Sequence, residues 1–286
     1  MPLDTTTFPL PLARHIADVR TIVRAWKAAG QKVALIPTMG ALHDGHLSLV
    51  RLARQHASFV VVSIFVNPTQ FAPHEDFAAY PRTEKTDAEK LARLQVDLLF
   101  SPSAQEMYGQ DFSTTITPKG AALGLESDFR PHFFAGVATV VTKLFNQCQP
   151  DVTLLGEKDY QQLLVIRQVT RDLDLPVTII GGPTLREADG LAMSSRNIYL
   201  SGPERATAAS LNKILKATAD AIASGTSADE ACTKASADLL KAGFASVDYV
   251  SARDGETLGP YHPAKPGRVL AAAWLGRTRL IDNLPI

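Results

Sequence analysis

The chain has 286 residues, enough for one large domain or two ordinary ones. Its 45% apolar and 20% charged content suits a globular protein with a real core, and Lys+Arg and Asp+Glu both total 29, for a formal net charge of zero. That balance argues against a nucleic-acid-binding surface, which shows as a strongly basic domain, while leaving room for a local basic pocket.

The periodicity predicts an amphipathic helix over 12–29, with Leu12, Ile16, Val19, Ile22, Val23 and Trp26 at spacings of three and four. Val33 to Ile36 reads as a buried strand stopping at Pro37, and 46–55 as a helix. Phe59 to Val66 is a near-continuous apolar run, typical of a strand covered on both faces, and ends at Asn67-Pro68. A charged helix over 84–94, a strand over 96–100, a helix around Val137–Phe145, a strand over 152–155, a helix over 161–172 and a strand over 177–180 follow. Strands alternating with helices imply βαβ units and a mainly parallel sheet. Beyond Pro183 the order changes to two Ala-rich helices, 203–223 and 227–242, then strands at 246–252, 269–274 and 279–281. The predicted architecture is α/β: a Rossmann-like parallel-sheet domain over 1–184, with a smaller α+β domain over 185–286.

The two cysteines, Cys148 and Cys232, both fall in helical stretches and read as buried thiols of a reducing compartment. Without a Cys-x-x-Cys pair, a structural zinc site is not expected. The start Met1-Pro2-Leu3-Asp4 lacks a basic segment followed by a long apolar one, so no signal peptide is expected. No uninterrupted apolar run is long enough to span a membrane, and the expected location is the cytoplasm.

Four segments carry chemistry. Met39-Gly40-Ala41-Leu42-His43-Asp44-Gly45-His46 lies between a predicted strand and a predicted helix, at the edge of an α/β sheet that ligands favour. Helix N-terminal amides attract phosphate, and the glycines let backbone approach a ligand. His43 and His46, three residues apart, can share one cleft and donate to phosphate oxygens, or as imidazolium offset charge at an α-phosphate. A P-loop is ruled out because His46-Leu47 stands where Lys-Ser/Thr belongs, and no Gly-x-Gly-x-x-Gly supports a dinucleotide redox fold. Asn67-Pro68-Thr69-Gln70-Phe71 supplies neutral side chains able to orient a hydroxyl or carboxylate, though Asn-Pro is also a plain turn signal.

Gly156-Glu157-Lys158-Asp159-Tyr160-Gln161-Gln162 is another strand-to-helix junction, where Lys158 can bind phosphate, Asp159 ribose or metal, and Gln162 faces the same cleft. Alternatively Asp159 merely caps a helix and Lys158 is a solvated charge. Leu185 to Asn197, containing Met193-Ser194-Ser195-Arg196, reads as a mobile loop suited to closing over a triphosphate, or as an interdomain linker with a helix cap.

His43-Asp44-Gly45-His46 resembles the His-x-Gly-His signature of the nucleotidylyl-transferase superfamily, and Met193-Ser194-Ser195-Arg196 resembles its second, basic loop. Together with Phe65 to Phe71, Tyr80-Pro81-Arg82-Thr83, Gly156 to Asp159 and Asp189 to Asn197, the set resembles the pantothenate synthetase (pantoate–β-alanine ligase) family across the N-terminal domain. The resemblance implies ATP- and Mg²⁺-dependent condensation of (R)-pantoate with β-alanine through an enzyme-bound pantoyl adenylate, in a homodimer. It implies ATP contacts from Met39 through His46, Gly156 through Asp159, Leu185 and Met193 through Arg196. His46 would be the proton donor, with His43 and Lys158 beside it in catalysis, and Gln70 and Gln162 would bind pantoate, Gln70 also lying near β-alanine. Asp87 and Asp159 are candidate magnesium ligands. One departure stands at Arg130-Pro131-His132-Phe133-Phe134, where the family usually reads Arg-Pro-Gly-His-Phe.

Three alternatives compete. A transferase passing AMP to a phosphorylated acceptor would want further basic residues, where Gln70 and Gln162 are neutral. A class I aminoacyl-tRNA synthetase would need a basic RNA-binding surface. A catalytically dead nucleotide-binding regulator would break the signature, which here is intact.

Overall fold

A computed structural model describes residues 8–71 and 77–286. In chain order its elements are β1 (Leu12–Ala13), α1 (Ile16–Ala28), β2 (Val33–Thr38), α2 (Asp44–Ala53), β3 (Phe59–Ile64), α3 (Glu84–Arg93), β4 (Leu98–Phe100), α4 (Ala104–Met107), α5 (Glu126–Phe129), α6 (Phe133–Cys148), β5 (Val152–Gly156), α7 (Tyr160–Asp172), β6 (Thr178–Gly182), α8 (Gly202–Ala208), α9 (Ser210–Ala223), α10 (Ala228–Ala242), β7 (Ser246–Asp254), β8 (Gly267–Leu275) and β9 (Thr278–Pro285).

The chain divides into two compact units, the first of residues 1–118, 132–157 and 165–182, the second of 119–131, 158–164 and 183–286. Two short segments of the stretch expected to form the first domain, 119–131 and 158–164, thus belong with the second unit, a division that no periodicity in the sequence announces. Side-chain chemistry explains it. Buried Gln161 donates to the carbonyls of Ala121 and Gly124 and accepts the amide of Glu126, while buried Glu126 pairs with Arg279 of β9 at 2.8 Å.

The first unit holds a six-stranded parallel sheet in the order β1-β4-β3-β2-β5-β6. Val33, Ala34, Leu35 and Ile36 are all fully buried, as a strand covered on both faces requires. From β2 the chain adds strands outward through β3 to β4, then returns to place β5 on the other side of β2. The strand order therefore reverses between β2 and β5, the position beyond whose carboxyl ends open α/β sheets bind ligands. The second unit carries the antiparallel sheet β7-β8-β9, with Leu211, Leu215 and Leu239 of α9 and α10 in its core.

Several predicted boundaries move. Leu12 lies in β1, paired with Leu99, because its side chain serves the sheet edge rather than the helix; α1 starts at Ile16. β2 runs through Pro37 to Thr38. The missing amide is tolerated there because the β5 ladder reaches only Ala34 and Leu35. The single helix expected over 203–223 is broken between α8 and α9, where Ser210 Oγ donates back to the Thr207 carbonyl at 2.6 Å. Cys148 and Cys232 are buried free thiols, and burial pushes Cys148 up to about 12. Among the described residues no helix is long and apolar enough to cross a membrane.

Candidate active site

In the first unit, the segment after β2 turns sharply: Gly40 has φ 84° and Ala41 φ 49°, both left-handed. A Cβ on Gly40 would stand 3.2 Å from Ile64 Cγ2 and 3.3 Å from Asp87 Oδ2, so the position suits glycine on both backbone and space. Asp87 in the first turn of α3 is fully buried and accepts from the amides of Ala41 and Leu42 at 2.9 Å each and from Thr83 Oγ1 at 2.9 Å. One turn on, Lys90 Nζ donates to the Leu42 carbonyl at 2.6 Å. Helix α3 thus fixes donors and acceptors of the same turn. Asp87, a candidate magnesium ligand on sequence, spends its carboxylate on two backbone amides and the Thr83 hydroxyl.

That turn delivers His43 to the N-cap of α2. His43 Nδ1 accepts the Gly45 amide at 3.2 Å, and His46 Nδ1 accepts the His43 amide at 3.3 Å, closing a reciprocal capping box built from two imidazoles. The rings lie 4.1 Å apart between centroids, tilted by 42°. Because both Nδ1 atoms accept, each neutral ring carries its proton on Nε2.

Asn67, 1% exposed, organises the next segment. Its Oδ1 accepts from Tyr108 Oη at 2.7 Å, Thr69 Oγ1 at 3.0 Å and the Thr69 amide at 3.3 Å. Three donors around one atom identify it as the oxygen, so Nδ2 faces Gln70 Oε1 at 3.1 Å and the Gly136 carbonyl at 3.3 Å. Burial raises the Tyr108 phenol above its usual value, which keeps it a donor. Gln70 Nε2 lies 3.0 Å from Met39 Sδ, so Gln70 and the Met39–His46 segment are brought together. The 3-10 turn at Pro68–Gln70 packs so closely on α6 that a Cβ at Gly136 would meet the Thr69 carbonyl oxygen at 2.5 Å.

Gly156 ends β5 and Glu157 opens a 3-10 turn through Asp159 that leads into α7. In the second unit Lys158 and Asp159 are half-buried, Gln162 is half-buried in the first turn of α7, and the Lys158 carbonyl accepts from Asn283 Nδ2 at 2.8 Å. Residues 185–193 form a small hairpin: Met193 N donates to Leu185 O at 3.0 Å, Glu187 N donates to Leu191 O at 2.8 Å, and Arg186 bridges Ala192. Ser194 then caps the 3-10 turn Ser195–Tyr199 by accepting the Arg196 amide at 3.2 Å. Leu185 is 38% exposed. The altered segment near 130 leaves His132 exposed ahead of α6, while Arg130 pairs with Glu126 at 3.6 Å.

Sequence reasoning missed Asp282 and Asn283, which tie the Arg186 hairpin and Lys158 to β9. The signal was there: two consecutive polar residues inside the apolar run Leu280 to Leu284 place a buried polar group on each face of the strand.

Residues 11–285 match the family model of pantoate–β-alanine ligase. The chain belongs to that family. It is 58% identical over 280 residues to the pantothenate synthetase of Caulobacter vibrioides, covering 96% of this chain and 98% of that one. It is 57% identical over 275 residues to that of Mesorhizobium japonicum, covering 96% and 97%. Among solved structures, pantothenate synthetase from Thermus thermophilus superposes with a TM-score of 0.88 at 43% identity, covering 96% of this chain and 98% of that chain. The pantoate–β-alanine ligase of Francisella tularensis, complexed with β-γ ATP and β-alanine, gives 0.83 at 34% identity, covering 96% and 97%. The pantoate–β-alanine ligase assignment makes this chain an enzyme that condenses pantoate with β-alanine and consumes ATP. It also agrees with the parallel-sheet architecture and the antiparallel C-terminal sheet.

Proposed function

We propose that the ligase works through the residues described above, with the imidazole capping box as the observation that carries the reading. His43 and His46, sitting at a helix N-terminus beside the switch point, each keep Nε2 as a donor when neutral because Nδ1 accepts a backbone amide, and the α2 amides add partial positive charge. Such donors suit the phosphates of ATP. The pantoate carboxylate attacks the α-phosphorus, pyrophosphate leaves, and a pantoyl adenylate forms. The β-alanine amine then attacks the acyl carbon, loses a proton and expels AMP, giving pantothenate.

Charge appears on the pyrophosphate as it departs, so donors fixed in advance stabilise the transition state more than the ground state. His46 is assigned as donor to the phosphate oxygens and His43 as its neighbour on them. Lys158 is assigned to neutralise phosphate charge, and Gly156 to Asp159, Leu185 and Met193 to Arg196 to hold ATP. Gln70 and Gln162 are assigned to pantoate, Gln70 also adjoining β-alanine. Asn67 turns Gln70 so that Nε2 is the donor, and the thioether of Met39 is a weak acceptor that a substrate oxygen displaces. A neutral amide leaves the pantoate carboxylate its nucleophilicity, which a lysine would hold back.

Mg²⁺ bound with the nucleotide supplies further neutralisation of the triphosphate. Among the described residues no three His, Cys, Asp or Glu side chains form a cluster. Buried Asp87 does not fit a hydrated ion, whereas half-buried Asp159 fits the single carboxylate that phosphate-borne magnesium uses. A homodimer in the cytoplasm completes the reading on family resemblance, and sedimentation tests the former.

The deciding experiment follows pyrophosphate from ATP, Mg²⁺ and pantoate, with and without β-alanine. A single-turnover burst with pantoate alone, becoming steady turnover to AMP on adding β-alanine, is expected. Absence of any release with pantoate would reject the adenylate route.

A further inference from the structure

Two adjacent residues of β9, Asp282 and Asn283, are polar, almost fully buried and bonded to segments far away in sequence. Burying such groups costs free energy unless their partners are well placed, so what they hold is informative.

We propose that Asp282 and Asn283 are positioning residues of the nucleotide site, holding the Lys158 turn and the hairpin before Met193–Arg196 to one strand. The inference rests on the proposed assignment of those two segments to ATP. Asp282, 3% exposed, takes the Arg186 guanidinium in a bidentate pair at 2.7 and 2.9 Å, and also accepts from Asn212 Nδ2 at 3.3 Å and from the Asn283 amide at 2.8 Å. Arg186 passes this on, donating to the Gly190 carbonyl at 3.1 Å across its own hairpin. Asn283, also 3% exposed, donates Nδ2 to the Lys158 carbonyl at 2.8 Å, 125 residues away in sequence.

Successive residues of a strand point to opposite faces, so one dipeptide reaches two segments that follow different strands of the parallel sheet. Each anchor grips what a positioning residue should grip. Asn283 holds a backbone carbonyl, leaving the Lys158 ammonium for a ligand. Asp282 holds Arg186, at the base of the hairpin that leads into Met193–Arg196. Two further contacts steady the Lys158 turn within the same unit: Tyr160 Oη donates to the Gly255 carbonyl at 2.7 Å, and the Arg268 guanidinium stacks 3.7 Å over the Tyr160 ring. A bidentate arginine pair and a fixed amide bond constrain orientation more than a generic apolar contact does.

The test uses the full chain in steady state with four variants: Asn283→Ala, Asn283→Leu, Arg186→Lys and Lys158→Ala. Asn283→Leu keeps the volume and loses the donor, so it separates the hydrogen bond from packing. Both Asn283 variants are expected to raise the KM for ATP about tenfold, the scale of one buried hydrogen bond, with the KM values for pantoate and β-alanine little changed. Arg186→Lys, which cannot make the bidentate pair, is expected to act in the same direction. Recovery of wild-type ATP KM in Asn283→Leu would reduce the residue to a filler and overturn the proposal. Unchanged ATP KM in both Asn283 variants would do the same, provided Lys158→Ala impairs ATP use. If Lys158→Ala leaves ATP use intact, the assignment of that segment to ATP fails first and carries the proposal down with it.

Discussion

The backbone amide of Ala41 donates to Oδ2 of Asp87 at 2.9 Å, across 46 residues of sequence, and Ala41 is the left-handed residue that swings the chain from β2 toward His43. A buried carboxylate facing two amides holds a strained turn that an L-residue would otherwise relax. Asp87→Asn puts an amide donor against one of those N–H groups. It is expected to lower stability by about 1–3 kcal/mol and to raise the KM for ATP, as read by denaturant unfolding and steady-state kinetics. A magnesium ligand would behave differently: its loss would shift the Mg²⁺ activation curve, which is expected to stay in place.

His46→Ala removes an assigned phosphate donor and one half of the capping box. Adenylation is expected to fall by at least about 10²-fold, the scale of one preorganised donor. Loss of the cap costs only about 1 kcal/mol, so the variant should fold. Single-turnover adenylate formation is the measurement, and an undiminished rate in folded protein would remove His46 from the chemistry.

Gly136→Ala tests the seat of Gln70. The added methyl would stand 2.5 Å from the Thr69 carbonyl oxygen and 2.9 Å from the Gln70 amide, and neither is a flexible side chain. Displacing the Pro68–Gln70 turn from α6 is expected to cost about 1–3 kcal/mol and to raise the KM for pantoate more than that for ATP. Equal effects on both substrates in thermally stable protein would argue that the turn does not serve pantoate.

Arg196→Ala should act mainly on ATP use, since Ser194 caps the turn through its own hydroxyl and Arg196 contributes only its amide to that cap. A rise of at least about tenfold in the KM for ATP is expected from losing one charge-assisted phosphate contact. Wild-type kinetics in this variant would take the Met193–Arg196 segment out of the mechanism.

The parallel sheet was legible because fully covered strands such as Phe59–Ile64 write their burial as near-continuous apolar runs, broken here only by Ser63, and the motifs sit where strands hand over to helices. The imidazole pair was legible as a pair, but its capping geometry was not, because which nitrogen faces the backbone depends on the Asp87 clamp from another helix. The parts that stayed hidden are long-range and polar. Gln161 carried no assigned role beside Gln162, yet it holds the 119–131 segment. Asn283 and Asp282 gave only the faint sign of polarity inside an apolar strand. Local periodicity reports which face is buried and is silent on what a buried polar atom bonds.

The charge network around Glu126 predicts a specific acid response. Burial by itself would push the Glu126 carboxyl up. The Arg279 charge outweighs it, together with hydrogen bonds from Arg279 and Tyr249 and the charge of Arg130, so the carboxyl lies below its ordinary 4.5. A carboxyl depressed in the native state contributes stability that is fully present above its unfolded value and is lost as pH falls through the lower native value. Glu126→Gln removes the charge at every pH and leaves Arg279 with Asp248 as its remaining acidic partner at 2.7 Å. Near neutral pH the variant is expected to be less stable by about 3 kcal/mol, the lower end of the cost of breaking a buried pair. Below its depressed native value the wild-type side chain itself becomes neutral, and the gap between the two proteins should close. Thermal unfolding of both from pH 7 to the acid limit reads this directly, and a gap that stays constant into acid would show that the network stabilises by shape and hydrogen bonding rather than by charge.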